Sequence, residues 1–165
     1  MREIELIQAI KKRCSEALIN LRFNTEQKNK PKRCPKTIRG WNLPAGGNAF
    51  VESDNDVEKQ NPFIIVRPQT GNDSARDELK ASMLIIVQVY NDESDFTGYE
   101  DLLICMNRIY DSIKNNPVLE NTFIYNEGSF QWSLNEEQPF PIWQMGITTD
   151  WTLPNTQRSD VNTYI

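Results

Sequence analysis

The segment from Ala81 to Ile113 limits the possible folds more than any other, because it predicts a strand followed directly by an amphipathic helix. Residues 81–90 are rich in β-branched and aromatic side chains, which favour strands. Beyond a polar turn, apolar residues recur at steps of three and four, the pattern of a helix with one apolar face. These residues are Tyr99, Leu102, Leu103, Met106, Tyr110 and Ile113. Thr97 and Glu100 have the spacing of a capping box at the start of that helix.

Three further segments carry periodic patterns. Residues 4–23 predict a first helix with one apolar stripe, while Lys11, Lys12, Arg13 and Arg22 mostly face elsewhere. The stripe consists of Ile7, Ile10, Cys14, Ala17, Leu18 and Leu21. Residues 63–66 predict a short buried strand that pairs with the strand at 81–90 as an antiparallel hairpin.

The C-terminal third predicts strands. Residues 123–125 and 130–134 are two short strand signals around a turn at Glu127 and Gly128. Residues 142–153 alternate, with one apolar and one polar face. The apolar face is formed by Trp143, Met145, Ile147, Thr149, Trp151 and Leu153.

Together these elements predict an α+β fold: a mostly antiparallel sheet of about four or five strands flanked by two main helices. We expect a single domain over residues 1–153, a long loop at about 24–60 and a C-terminal arm at 154–165. Irregular segments as long as residues 40–60 are uncommon inside compact domains unless they serve a function, so this segment is a candidate for contact with a partner.

Several classes of protein are disfavoured by composition. The chain has no histidine, which removes the commonest general base and metal ligand. Three separated cysteines fit neither a disulfide framework nor a zinc site, so we expect free thiols and a reducing compartment. No apolar run approaches the ~18 residues that span a bilayer, and the charged residues near the N-terminus argue against a signal peptide. We therefore predict no catalytic, cofactor or metal site and no membrane contact.

Charge is divided unevenly along the chain. Residues 1–39 contain eleven basic and four acidic side chains, whereas residues 40–165 contain seven basic and nineteen acidic ones. A basic segment on an acidic body can attract the body of a neighbouring copy. The candidate subunit or partner interface is the basic stretch formed by Lys28, Lys30, Lys32, Arg33, Lys36 and Arg39.

Two alternatives with nucleic acid as substrate or ligand are weaker. Glu78, Leu79 and Lys80, with Asp73 and Asp77 upstream, form the one string that could hold a divalent metal, as in a metal-dependent nuclease, but ion pairing in a polar connector is a sufficient explanation for it. The basic stretch lacks interleaved aromatic residues and the body is acidic, which fits passive contact with DNA better than tight binding.

Residues 63–154 resemble the tail terminator (tail completion) proteins of tailed bacteriophages. Four stretches carry the resemblance: residues 62–68, residues 83–90, the helix start at residues 98–103, and residues 141–154. The first helix has a compatible position, whereas the 40–60 segment and the C-terminal arm match nothing.

The resemblance implies a structural virion protein in the tail or neck region, assembled in the host cytoplasm. Such proteins form a homo-oligomeric ring, commonly a hexamer, that caps the tail tube, joins it to the neck or head connector and leaves a lumen for DNA. The alternatives are another head–tail neck component, a subunit of a tail-like injection machine, or a small-molecule binding module.

Overall fold

The computed structural model describes residues 2–25, 31–38, 61–73 and 79–154. Two helices, α1 (Arg2–Leu18) and α2 (Gly98–Asn115), lie on one face of a sheet. The strands are β1 (Lys36–Ile38), β2 (Phe63–Asp73), β3 (Leu79–Tyr90), β4 (Val118–Leu119), β5 (Phe123–Tyr125), β6 (Gln131–Ser133) and β7 (Ile142–Leu153). The predicted α+β class is confirmed.

The sheet has seven strands in the described part of the chain, somewhat more than the four or five predicted. Its order is β1-β2-β3-β7-β5-β4, and β6 also pairs with β7. Among the strands of the described residues, only the β1–β2 pair is parallel. β1 lies inside the stretch that the sequence assigns to a long loop. The sequence does not predict this strand because three residues are too few to show a strand pattern.

β2 and β3 form the predicted hairpin, although β2 extends to Asp73 and β3 begins at Leu79. A register shift between Pro68 and Thr70 marks a bulge in β2. β3 and β7 pair without interruption, from Leu79 opposite Leu153 to Tyr90 opposite Ile142. We call these two ends of the sheet the Leu79 end and the Tyr90 end.

The main core lies between the helices and the sheet. β7 has the predicted bounds, and its six predicted apolar-face residues are all buried. Cys14 and Cys105 also lie in this core, where burial raises the pKa of each thiol to about 12. Trp151 is fully buried, and its indole N–H donates to Thr149 Oγ1 at 2.8 Å.

α1 begins with Glu3 and Glu5 in its first turn, where the helix dipole favours acidic side chains. It ends at Leu18, five residues before the predicted end, and Phe23 pairs with Arg33 instead. Its buried face is formed by Leu6, Ala9, Ile10, Lys11, Cys14 and Leu18. The prediction that Lys11 faces away from the core is therefore wrong.

α2 buries Gly98, Leu102, Cys105, Met106, Ile109 and Ile113. Tyr99 and Tyr110, which the sequence places on the apolar stripe, are 41% and 37% exposed. The predicted capping box is also wrong, because the Thr97 hydroxyl donates to Asp95 Oδ1 at 2.9 Å instead of to the helix backbone. Within the described ranges, neither helix is long and apolar enough to cross a membrane.

The two helices run in opposite directions between the ends of the sheet. Arg2, at the start of α1, donates to Pro154 O at 2.7 Å, next to the Leu79 end. Leu18, at the end of α1, accepts a hydrogen bond from Cys34 Sγ at 3.2 Å, near the Tyr90 end. α2 begins at the Tyr90 end, so the β3–α2 turn, the β6–β7 loop and residues 31–36 all gather there.

Candidate interaction surface at the Tyr90 end

The basic stretch is fixed to the body by its backbone. The backbone N–H of Phe23 donates to Arg33 O at 2.9 Å, and the N–H of Arg33 donates to Phe23 O at 3.0 Å. The N–H of Lys36 donates to Pro62 O at 3.3 Å where β1 joins β2. Ser15 and Thr37 add a hydroxyl contact of 3.1 Å. Residues 31–38 are thus held against α1 and β2.

The predicted cations do not act as one group. Lys32 and Lys36 are exposed, whereas Arg33 is half-buried and its Nε donates to Asn61 O at 3.1 Å. Arg33 thus makes a stabilising contact within its own chain. Lys28, Lys30 and Arg39 lie outside the described residues. Of the three cations that are described, two remain available to a partner.

Four aromatic side chains meet at the Tyr90 end, and we call them the aromatic corner: Phe96, Tyr99, Phe140 and Trp143. The rings of Phe96 and Phe140 are 4.9 Å apart between centroids at 60°, an edge-to-face arrangement. Trp143 lies beneath them, with its centroid 6.4 Å from that of Phe140 and 6.4 Å from that of Tyr99. Trp143 is buried, whereas Phe96, Phe140 and Tyr99 are 55%, 44% and 41% exposed.

The corner is built by close contacts behind the rings. The Trp143 indole N–H donates to Asn91 O at 3.2 Å, which ties β7 to the turn after β3. Gly98 opens α2 directly against this indole, since a Cβ at that position would lie 2.2 Å from Trp143 Nε1. The Asn91 side chain accepts from the Glu93 backbone N–H at 3.0 Å, which fixes the turn that leads to Phe96.

Exposed carboxylates lie next to the residues of the aromatic corner along the chain, and we call them the acidic rim. They are Asp92, Glu93, Asp95, Glu100, Glu136 and Glu137. The first four belong to the β3–α2 turn and the first turn of α2, and the last two belong to the loop that carries Phe140.

Asp101 is half-buried next to residues of this rim, and nearby charges shift the pKa of its carboxyl group. Burial raises the pKa of its carboxyl group, and the amide of Asn91, which donates to it at 3.3 Å, lowers that pKa. The nearby charge of Glu93 raises the pKa further, whereas that of Lys32 lowers it. Lys32 therefore lies close enough to Asp101 to act on its carboxyl group electrostatically.

The face of the sheet opposite the helices is crossed by a line of amides. Gln88 Nε2 donates to Asn61 Oδ1 at 2.8 Å, and Gln144 Nε2 donates to Gln88 Oε1 at 2.7 Å. Gln138 Oε1 accepts from the Gln144 backbone N–H at 2.8 Å. Asn61 and Gln88 are each 1% exposed, so these hydrogen bonds replace contacts with water. The line joins Asn61, just before β2, to β3, β7 and the β6–β7 loop.

Beside the amides lies a groove of about 210 Å³. Its lining consists of Leu84, Ile86, Ser133, Asn135, Gln144, Met145 and Gly146. None of these side chains is ionisable, so the groove offers shape, apolar contact and amide hydrogen bonds, without a group for acid–base chemistry.

The residues of the predicted nuclease string are separated where they are described. Lys80 pairs with Asn72 on the face opposite the helices, in a small pocket of about 80 Å³ that also contains Asp150. Asp73 pairs with Leu79, which packs against the main core, so Asp73 belongs to the other face. Asp77 and Glu78 lie outside the described residues. In the described ranges, no three Cys, Asp or Glu side chains come together as metal ligands.

Sequence reasoning missed the aromatic corner, although two signals point to it. Phe96 is the one apolar residue in the polar turn from Asn91 to Thr97, and Phe140 stands between two prolines. Apolar side chains at such positions have no place on a helix stripe or strand face, which indicates a separate contact.

Comparison with models of known protein families gives no match for this sequence, and comparison with curated proteins gives none either.

Proposed function

We propose that this chain is a structural protein of a tailed-phage virion, a tail terminator. Copies of it form a ring on the finished tail tube, stop further polymerisation and present a surface to the neck or head connector. DNA passes through the lumen of the ring and makes only passive contact with the acidic body. The chain works through surface shape and charge, in a virion assembled in the host cytoplasm.

One observation carries this proposal: the four stretches of the sequence resemblance coincide with three adjacent strands and the helix that packs on them. Residues 62–68 open β2, residues 83–90 form most of β3, residues 98–103 begin α2, and residues 141–154 contain β7. β2, β3 and β7 are adjacent in the sheet, and α2 contacts both β3 and β7. The resembling segments thus belong to one continuous structural unit.

The described surfaces fit a protein that acts by contact with other proteins. The Tyr90 end combines exposed aromatic rings with exposed carboxylates, and aromatic residues are enriched in protein interfaces. Lys32 and Lys36 add exposed positive charge nearby. A lumen lined by acidic protein repels DNA and permits it to slide.

The direct test is electron microscopy of purified chain mixed with tail tubes assembled from the tube protein of the same phage. We expect ring-shaped density at one end of each tube and arrest of elongation when more tube subunits are added. An unrelated acidic protein of similar mass is the control. Unchanged elongation with bare tube ends would refute the proposal, and density on the isolated neck connector alone would favour the neck-component alternative.

A further inference from the structure

The aromatic corner exposes more apolar ring surface than the fold requires. Phe96 and Phe140 contact each other at 4.9 Å between ring centroids while 55% and 44% of their surfaces remain exposed. Aromatic side chains dominate the energetics of protein interfaces, and clustered exposed rings mark interaction sites. The question is therefore which partner covers them.

Phe96 adopts a strained backbone conformation. Its φ of 56° lies in the left-handed region, which phenylalanine rarely adopts. The Phe96 backbone N–H donates to Glu93 O at 3.2 Å, so the turn is closed and the ring is directed onto Phe140. Local strain that persists in a folded protein often serves a binding surface, because a fixed side chain loses less entropy on association.

The acidic rim favours a partner with positive charge. Six exposed carboxylates lie close to the ring-bearing residues along the chain, in two loops and the first turn of α2, and a polar rim around an apolar centre is the usual anatomy of an interface. Arginine and lysine side chains can bind both the aromatic corner and the acidic rim, since a cation is attracted by an aromatic face as well as by carboxylates. The surface thus fits a basic partner.

A second copy of this chain is a poor occupant. The described cations Lys32 and Lys36 lie at the same end of the molecule as the acidic rim, and Lys32 acts on the charge of Asp101. A copy that brought these lysines to the corner would also bring its own carboxylates against the rim. Like charges that face each other across an interface cost several kcal/mol, so a different protein fits better.

We propose that the aromatic corner and its acidic rim form the docking surface for the tail tube protein, which contacts them with lysine or arginine side chains. The identity of this partner rests on the function proposed above, in which binding to the tube is the contact that every capping event requires. The rings supply most of the affinity, and the rim supplies orientation and a fast, salt-dependent association.

Binding of the full chain to immobilised tail tubes tests this assignment. The ring variant carries Phe96→Asn and Phe140→Ser; asparagine tolerates a positive φ, so we expect this variant to fold. The charge variant carries Glu93→Lys and Glu137→Lys and keeps all the rings. The matched control is Trp132→Ser, which removes an aromatic side chain that is 47% exposed on β6, away from the corner. Circular dichroism spectra and melting temperatures verify folding.

We expect the ring variant to bind at least about 30-fold more weakly than the unmodified chain. The charge variant should bind about tenfold more weakly, and this difference should shrink as salt screens the charges. Trp132→Ser should bind as the unmodified chain does.

Equal binding by all four proteins would overturn the docking surface while leaving the proposed function intact. If the ring variant lost binding to the neck protein but bound tubes as the unmodified chain does, the choice of the tube as partner would be overturned. If the unmodified chain fails to bind tubes at all, the proposed function and the partner assignment both fall.

Discussion

Gly98→Ala tests the construction of the aromatic corner, because this substitution places a methyl group inside the Trp143 indole. The new Cβ would lie 2.2 Å from Nε1, 2.3 Å from Cδ1 and 2.5 Å from Cε2. Since unstrained carbon contacts begin near 3.5 Å, the indole or the first turn of α2 must move by roughly 1 Å. Trp143 is only 8% exposed and its N–H is bonded to Asn91 O, so movement toward solvent breaks that bond.

The free energy of unfolding should fall by about 2–3 kcal/mol. Since the new Cβ would lie only 2.2 Å from the indole, overpacking should cost about 2–3 kcal/mol, the upper part of its usual range, and loss of the indole hydrogen bond adds about 1 kcal/mol. Replacing glycine by alanine in a helix returns up to about 1 kcal/mol. For a domain of this size the same change lowers the melting temperature by about 5–10 °C.

Urea unfolding followed by far-ultraviolet circular dichroism measures this change. The matched control is Gly146→Ala in β7, where the nearest atom to a new Cβ is Leu84 Cδ1 at an ordinary 3.7 Å. We expect that control to change stability by less than about 0.5 kcal/mol. In a Trp143→Leu background the cost of Gly98→Ala should fall below about 1 kcal/mol, since the clashing ring is gone. A loss below about 0.5 kcal/mol for Gly98→Ala in the unmodified chain would refute the packing described here.

Three further measurements test other parts of the structure. Gln88→Leu should lower the free energy of unfolding by about 1–3 kcal/mol, because it removes the two hydrogen bonds that the buried Gln88 side chain makes with Asn61 and Gln144; urea unfolding that matches the unmodified chain would contradict the amide line. The pKa of Asp101 is raised in the folded state, so its carboxylate costs stability as pH rises above its unfolded pKa of about 4. Asp101→Asn should therefore stabilise the protein at pH 7 and have less effect near pH 3, and a stabilisation that stays constant between these pH values would contradict this reasoning. Cys14 and Cys105 are buried with pKa values of about 12, so a thiol reagent at pH 8 should label at most one cysteine rapidly in the native chain and three after unfolding.

Patterns of period two predict this structure well, because each strand residue has one clear choice between two faces. β7 shows this best: its bounds and its buried residues agree with the alternation in the sequence. The hairpin of β2 and β3 is likewise confirmed, with longer strands. The strands β1 and β4 have three and two residues, too few for any pattern, and their pairing depends on partners distant in sequence.

Helix faces are less well determined by the sequence. In α2 the stripe from Tyr99 through Tyr110 is rotated from the true buried face, which includes Cys105 and Ile109. Tyrosine carries both an apolar ring and a polar hydroxyl, so a stripe drawn through it is ambiguous. The position of Gly98 against Trp143 then fixes the rotation by contact, which no local pattern contains.

The candidate surface was the hardest part to predict, because it depends on residues that are distant in sequence. Charge counting identified the basic stretch, but it could not show that Arg33 would bond to its own protomer through Asn61 O. Phe96 and Phe140 lie in separate turns, and only the pairing of β3 with β7 brings those turns together. The sequence therefore indicates that charged and aromatic side chains are available for contact, but it does not indicate which of them lie together on the surface.

The bulge in β2 has a consequence for molecules that crowd together in an assembly. β1 covers only residues 63–65 of β2, so along the described strands the outer edge of β2 beyond Val66 has no neighbour. An uncovered edge of this kind can recruit a strand from another molecule and start a fibril. Pro68 has no N–H to donate, and the irregular register that follows it interrupts the ladder. Pro68 and the bulge thus disfavour pairing of this part of β2 with a strand of another molecule.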